Sequence, residues 1–122
     1  MAITKITTPT ALAGILVTSD NVTASANDNV TGNNSGRIYQ VQVDNTGNTV
    51  TSYLKILDAS SATPGTSNPD LTLAIPAAKK VTYNMDIGHP YASGVSLWCT
   101  AGAEVGNTQS PGSVVAFALL AS

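Results

Sequence analysis

Few side chains in this sequence could carry out nucleophilic, acid–base or metal chemistry. Its 122 residues include one histidine, His89, and one cysteine, Cys99. The usual zinc sites need three or four nitrogen or sulfur ligands, and no further histidine or cysteine exists to complete one. No Gly-x-Ser-x-Gly motif occurs, and no serine is paired by its spacing with His89 and an aspartate. We therefore expect no enzyme activity, no bound metal and no other cofactor.

The six aspartates lie mostly beside segments that we predict to be strands. There a carboxylate typically accepts hydrogen bonds from backbone N–H groups and caps a turn. The pairs Asp20-Asn21 and Asp28-Asn29 offer oxygen ligands for calcium, but the regular acidic spacing of a calcium loop is absent. We therefore interpret the aspartates as turn caps.

The aromatic side chains allow two interpretations, a sugar-stacking surface and ordinary packing inside the fold. Tyr39 and Tyr83 are in phase with the apolar residues of their segments, which favours packing. Trp98 alternates out of phase with Val95, Leu97 and Cys99. We therefore predict that Trp98 faces a partner, whereas Cys99 is a buried and inert thiol.

Composition excludes several classes of partner. Charged residues make up 10% of the chain, against a typical value of about 25%. Five basic residues face seven acidic ones without a basic run, so we expect no nucleic-acid binding. No apolar stretch approaches the length of a membrane span, and the short run 11–17 does not make a secretion signal. We expect a protein made in the cytoplasm that contacts no membrane.

The chain is built from short segments of alternating apolar and polar residues separated by turn-forming residues. In the segment 81–87, for example, we predict that Val81, Tyr83, Met85 and Ile87 share the core face. The pattern predicts an all-β fold, a β-sandwich of jelly-roll (Greek-key) type with about eight strands. We expect an extended N-terminal arm over 1–12 and a single sandwich domain over 13–122.

Two connections lead to specific predictions about pairing. The turn 44–48 contains Gly47 and joins two strand segments, which predicts a hairpin. The loop 59–69 is long for a hairpin and rich in proline, serine and threonine. We therefore predict that it carries the chain from one sheet to the other.

The C-terminal segment 114–120 is apolar on both faces, which is unusual for a strand of a monomeric sandwich. One set of alternate residues must meet the core, and the other set must find a different cover. We predict that Val115, Phe117 and Leu119 form the outer set and, together with Trp98, contact another subunit. Low surface charge favours such a contact because few charges need desolvation.

Several segments occur in an order and spacing that resemble a known family. They are Ser35-Gly36-Arg37-Ile38-Tyr39, the segment from Tyr53 to Asp58, the loop 62–69 and the return from Leu71 to Ala77. Together they resemble small jelly-roll virion proteins of tailed bacteriophages, namely capsid cement or decoration proteins and related fibre modules. Members often carry glycine after the Pro-Ala of the last segment, whereas this chain carries Ala78.

The resemblance implies a structural virion protein without catalytic residues. We expect a homotrimer that binds the major capsid protein on the outer capsid surface and stabilises the shell. The alternative is a receptor- or carbohydrate-binding fibre or spike module, for which a bound carbohydrate is the expected ligand.

Overall fold

The computed structural model describes residues 3–7, 14–32 and 35–122, and for residues 6 and 7 the backbone alone. These residues form eight β-strands and no helix. The strands are β1 (Ile3–Thr7), β2 (Ile15–Ser19), β3 (Gly36–Asp44), β4 (Ser52–Asp58), β5 (Leu71–Ile75), β6 (Lys80–Tyr91), β7 (Val95–Thr100) and β8 (Ala116–Ala121).

The strands form two antiparallel sheets that pack face to face, which confirms the predicted all-β sandwich. The five-stranded sheet has the order β1-β2-β8-β3-β6, and the three-stranded sheet has the order β5-β4-β7. Alternate residues of each strand point between the sheets, because successive side chains of a strand lie on opposite faces. Val41 and Val43 of one sheet and Leu54 and Ile56 of the other are buried in this core.

A segment outside the named strands, 22–30, runs along the free edge of β7. The Asn27 N–H donates to the Leu97 carbonyl at 2.8 Å, and the Leu97 N–H donates back at 3.0 Å. The Val30 N–H also donates to the Val95 carbonyl. With this segment included, the strand pairs are nested, which means that the first element pairs with the last, the second with the second last, and so on. The pairs are β2 with β8, 22–30 with β7, β3 with β6, and β4 with β5.

The N-terminal strand β1 pairs with β2 at the edge of the five-stranded sheet. Of the arm predicted over 1–12, residues 1–2 and 8–12 lie outside the described residues. The described part of the arm therefore adds an edge strand to the sandwich.

Both predictions about the connections are wrong. β3 and β4 belong to different sheets, so the turn 44–48 crosses the sandwich and is not a hairpin. β4 and β5 are paired neighbours, so the loop 59–69 closes a hairpin within one sheet. Turn residues indicate where a chain reverses, but the sheet that the next strand joins is decided by burial. The apolar faces of β3 and β4 must approach the same core from opposite sides.

The predicted face of β6 is confirmed over its first half. Val81 and Met85 pack against the core. Tyr83, which lies between them in the sequence, is half-buried. The intervening Thr82 and Asn84 are exposed.

Ile87 is the exception, because it is 85% exposed and not on the core face. Between the pairs Gln40↔Asn84 and Ile38↔His89 the register shifts, so β6 bulges over several residues. Gly88 adopts φ 78° in this bulge, a left-handed conformation that glycine tolerates best. The Arg37 guanidinium holds the bulge by donating to the carbonyls of Ile87 and Gly88, at 3.1 and 3.2 Å.

The crossing between β3 and β4 is built on the buried side chain of Asn45. Its Nδ2 group donates to the carbonyls of Val50, Ile75 and Pro76, at 3.2, 3.0 and 3.1 Å. Its Oδ1 atom accepts from the Ser52 hydroxyl at 2.9 Å and from Asn48 Nδ2 at 2.8 Å. One amide thereby ties the crossing to the start of β4 and to the turn after β5.

Asn48 extends this network toward the C-terminal strand. Its Oδ1 atom accepts from the Ser113 N–H at 2.7 Å, and its Nδ2 donates to the Ser113 carbonyl at 3.1 Å. Its backbone carbonyl accepts from the Ala78 N–H at 2.9 Å. We refer to Asn45, Asn48 and Ser52 together as the corner network.

Ala78 lies in the turn that follows β5, directly after Pro76 and Ala77. Its φ of 58° lies in the left-handed region, which costs a residue with a Cβ atom about 1 kcal/mol. The turn is closed by the Lys79 N–H, which donates to the Pro76 carbonyl at 3.3 Å. The backbone here thus has the conformation that glycine favours, although the residue is alanine.

The corner network predicts a large effect for Asn45→Asp, which changes the shape of the side chain very little. The variant loses the N–H donors and directs a buried carboxylate at carbonyl oxygens, so we expect a loss of about 3 kcal/mol or more in the free energy of unfolding. Urea unfolding followed by circular dichroism measures this loss. Asn68→Asp, in an exposed loop, is the matched control and should change stability by about 0.5 kcal/mol or less. Equal effects of the two changes would contradict the role of Asn45.

Candidate functional site

The four residues predicted to face another subunit are all buried within the single chain. Val115, Phe117 and Leu119 belong to the core between the sheets, so the assignment of this set to an outer surface is wrong. Both alternate sets of the segment are apolar, and the set with the larger side chains fills the core. The outward set is therefore Val114, Ala116, Ala118 and Leu120.

Trp98 points away from the main core, in agreement with its phase, but its exposed fraction is 0%. It lies opposite Lys55 of β4 on the outer face of the three-stranded sheet. The loop 101–112 covers this face: Lys55 Nζ donates to the Glu104 carbonyl at 2.6 Å. Trp98 Nε1 is buried without a hydrogen-bond partner. The prediction that Trp98 faces a partner is therefore wrong, because the chain's own loop covers it.

The buried lysine beneath this loop was not anticipated from the sequence. Lys55 lies between the core residues Leu54 and Ile56, so its side chain projects from the opposite, outer face of the sheet. Burial lowers the pKa of Lys55, and the nearby charge of Glu104 opposes part of this effect. On the opposite face of the same sheet, burial raises the pKa of the Cys99 thiol to about 12. At neutral pH this thiol is protonated and unreactive.

The lowered pKa of Lys55 predicts a specific dependence of stability on pH. The unfolded chain holds the lysine proton more tightly than the folded chain, so the free energy of unfolding should rise as pH increases toward the ordinary lysine value of 10.5. In Lys55→Met this contribution is absent. Urea unfolding between neutral pH and pH 10 should therefore show the wild type gaining stability relative to Lys55→Met. Lys79→Met, at an exposed lysine, is the control, and parallel curves for wild type and Lys55→Met would refute the effect.

The polar residues considered for chemistry are dispersed in the structure. His89 is half-buried on β6 opposite Ile38. Across residues 3–7, 14–32 and 35–122, no three or more His, Cys, Asp or Glu side chains are grouped so that they could hold a metal ion.

Several aspartates cap turns, as predicted. The Asp58 carboxylate accepts from the N–H groups of Ala92 and Ser93, at 2.8 to 3.0 Å. Asp44 accepts from the hydroxyl and N–H of Thr46, and these hydrogen bonds lower the pKa of Asp44. These carboxylates act within the chain's own turns.

The tyrosines do not combine with Trp98 into a sugar-stacking surface. Tyr91 is buried and donates its hydroxyl to the Ser122 carbonyl at 2.8 Å. The Tyr83 hydroxyl donates to the Ala74 carbonyl at 2.5 Å, which links β6 to β5 across the edge of the sandwich. Tyr39 and Tyr53 are half-buried on strands of different sheets. Tyr83 and Tyr91 thus use their hydroxyls to fasten the fold.

The outer face of the five-stranded sheet is the most distinctive surface of the described residues. On β3 and β6, Gln40 Nε2 donates to Asn84 Oδ1 at 2.9 Å, and Gln42 Nε2 donates to Thr82 Oγ1 at 3.5 Å. We call these four side chains the amide ridge. They are neutral, and the two cross-strand hydrogen bonds align them.

Next to the amide ridge, β8 forms a trough at Ala116 and Ala118, whose outward side chains are short. Ala118 stands opposite Thr18 of β2 and Gln42 of β3 in the strand register. Two open depressions, of ≈ 150 and ≈ 350 Å³, flank Ala116 on its two sides. We call this trough the β8 channel, with Ala116 and Ala118 as its floor.

No protein-family model matches this chain, and neither does a curated protein or a solved structure. In the part of the chain that the structure describes, no helix is long and apolar enough to cross a membrane. The function must therefore be argued from the sandwich and its surfaces.

Proposed function

We propose that this protein is a structural component of a bacteriophage virion, a capsid cement or decoration protein that binds the outer capsid surface as a homotrimer. In this role it bridges neighbouring copies of the major capsid protein and stabilises the shell. The nested strand pairing is the observation that carries the proposal. It supports the jelly-roll architecture on which the resemblance to virion proteins depends.

The jelly-roll interpretation follows from counting 22–30 as a strand. Numbered in chain order from β2, the eight elements lie in one sheet as 1-8-3-6 and in the other as 2-7-4-5. Each element of the first half then pairs with the element at the same distance from the other end of the chain. On this numbering the order agrees with the two Greek keys of a jelly roll, which supports that interpretation.

The segments that resemble phage proteins fall on consecutive parts of this architecture. They form the start of β3, the strand β4, the loop that closes the β4–β5 hairpin, and β5 with its turn. The left-handed conformation at Ala78 supports the same resemblance, since the similar proteins often place glycine there. The resemblance therefore concerns one continuous supersecondary unit.

A fibre or spike module that binds a receptor or a carbohydrate is the second candidate. The exposed loop 59–69, rich in serine and threonine, offers hydroxyl groups to a sugar. The burial of Trp98 removes the aromatic ring that was the strongest candidate for stacking on a sugar. The cement function is therefore the better account of this structure.

Particles made with and without this protein provide the test. We expect mass spectrometry to find the protein in purified complete particles, in many copies per particle. Particles lacking it should release their genome at a lower temperature and after a milder osmotic shock. Equal resistance of both kinds of particle would contradict the cement function, and a loss of host adsorption with unchanged resistance would favour the fibre module.

A further inference from the structure

The loop over the three-stranded sheet contains a compact unit, residues 101–109, whose two ends meet. The Ala101 N–H donates to the Gln109 carbonyl at 2.8 Å, which closes the unit. Inside it, the Asn107 N–H donates to the Glu104 carbonyl at 3.1 Å, and Asn107 Oδ1 accepts from the Gln109 N–H at 3.1 Å. A compact surface loop with adjoining ends is an Ω-loop. We call residues 101–109 the lid.

The lid adds no side chain to the buried core. In the described part of the chain, this core includes Cys99 before the lid and Val115 after it, but no residue from 101 to 112. The residues of the lid are exposed or half-buried. Segments with few buried apolar contacts open at a smaller free-energy cost than the core of a protein. The attachment of the lid therefore depends on hydrogen bonds and on what the lid covers.

The lid is attached to the sandwich in its middle and at its ends. Lys55 Nζ of β4 donates to the Glu104 carbonyl in the middle of the lid, at 2.6 Å. The lid begins directly after β7. Directly after the lid, Ser110 Oγ accepts from the Ala24 N–H at 3.1 Å. Both ends are thus fixed, and the part between them can lift when the hydrogen bond from Lys55 breaks.

Closure of the lid keeps two polar groups of the sheet away from water. Trp98 Nε1 is buried without a hydrogen-bond partner, and the Lys55 side chain is buried although it carries an amine. Opening lets water bond both groups, which favours the open state. Burial of the indole ring favours the closed state. Because these contributions oppose each other, the lid opens at a lower cost than the apolar core between the sheets.

We infer that the lid opens as a unit while the sandwich remains folded, and that it exposes Trp98 and Lys55 when it opens. The outer face of the three-stranded sheet then has two states, one covered and one open to solvent. This conformational change goes beyond the proposed virion function and does not depend on it.

Hydrogen exchange of the Trp98 indole N–H, followed by NMR, tests this opening. The chain has one tryptophan, so its indole signal is unambiguous. We expect the indole N–H to exchange at a rate that changes little with urea below the unfolding transition. Backbone N–H groups of β4 should exchange at a rate that rises steeply with urea, because they require unfolding of the sandwich. An equally steep urea dependence of the indole N–H overturns the inference.

Two glycines of the lid provide a matched pair of variants. A Cβ atom at Gly102 would overlap Asn107 Nδ2 and lie 2.6 Å from Glu104 Oε2, so Gly102→Ala should loosen the lid. A Cβ atom at Gly106 would meet nothing within 4 Å. Both changes reduce the freedom of the unfolded chain equally, so this effect cancels between them. We expect the indole N–H to exchange about fivefold or more faster in Gly102→Ala than in Gly106→Ala.

Equal indole exchange in the two folded variants overturns the inference. If Gly102→Ala does not fold, Asn107→Ala takes its place, because it removes the hydrogen bond to the Gln109 N–H inside the lid. Its control is Asn68→Ala, in the exposed loop between β4 and β5. Faster indole exchange in Asn107→Ala than in this control supports the lid, and equal exchange overturns it.

Discussion

The fold depends on how a buried polar corner holds two sheets together. The crossing from β3 to β4 buries the Asn45 side chain and the Ile75 carbonyl at the end of the sandwich, and such polar groups destabilise a protein unless they are hydrogen-bonded. Asn45 donates to the carbonyls of Val50, Ile75 and Pro76. Its own side-chain oxygen accepts from Asn48 and Ser52. Asn48 adds the loop before β8 to the same network. The position of β8, and with it the β8 channel, therefore depends on this corner.

The alternation of apolar residues predicted the strands and much of the core. It assigned Val81 and Met85 correctly, because a strand exposes alternate faces at a fixed period of two. It failed at Ile87, where the β6 bulge breaks that period, and at β8, where both alternate sets are apolar. Lys55 and Trp98 were missed for another reason: the loop 101–112 covers a face that the strand pattern marks as outward. Burial by a loop leaves no periodic signal in the strand beneath it.

The turn residues correctly predicted where the chain reverses. They did not predict whether the strands on either side of each reversal belong to the same sheet. A glycine-containing turn of five residues and a loop of eleven can each close a hairpin or cross a sandwich. The choice is made by contacts between distant residues, such as Asn45 with Ile75 and Pro76. Sequence could identify Asn45 as a turn residue, but its role as a buried hydrogen-bonding centre requires the three-dimensional arrangement.

The outer surfaces of the two sheets differ in composition and in what covers them. The titratable residues are either dispersed or used to cap turns, and the outer face of the five-stranded sheet offers short and neutral side chains beside an apolar trough. The buried Lys55 and Trp98 stabilise the loop over the other sheet and present no group to a ligand. The two sheets thus have different outer faces, one covered by the chain's own loop and one without such a cover among the described residues.

Cryo-electron microscopy of intact virions tests the central claim most directly. If the proposed function is correct, the images will show three copies of the sandwich around a three-fold axis on the outer capsid surface. Copies at a fibre tip, or isolated single copies on the capsid, would contradict the proposed function.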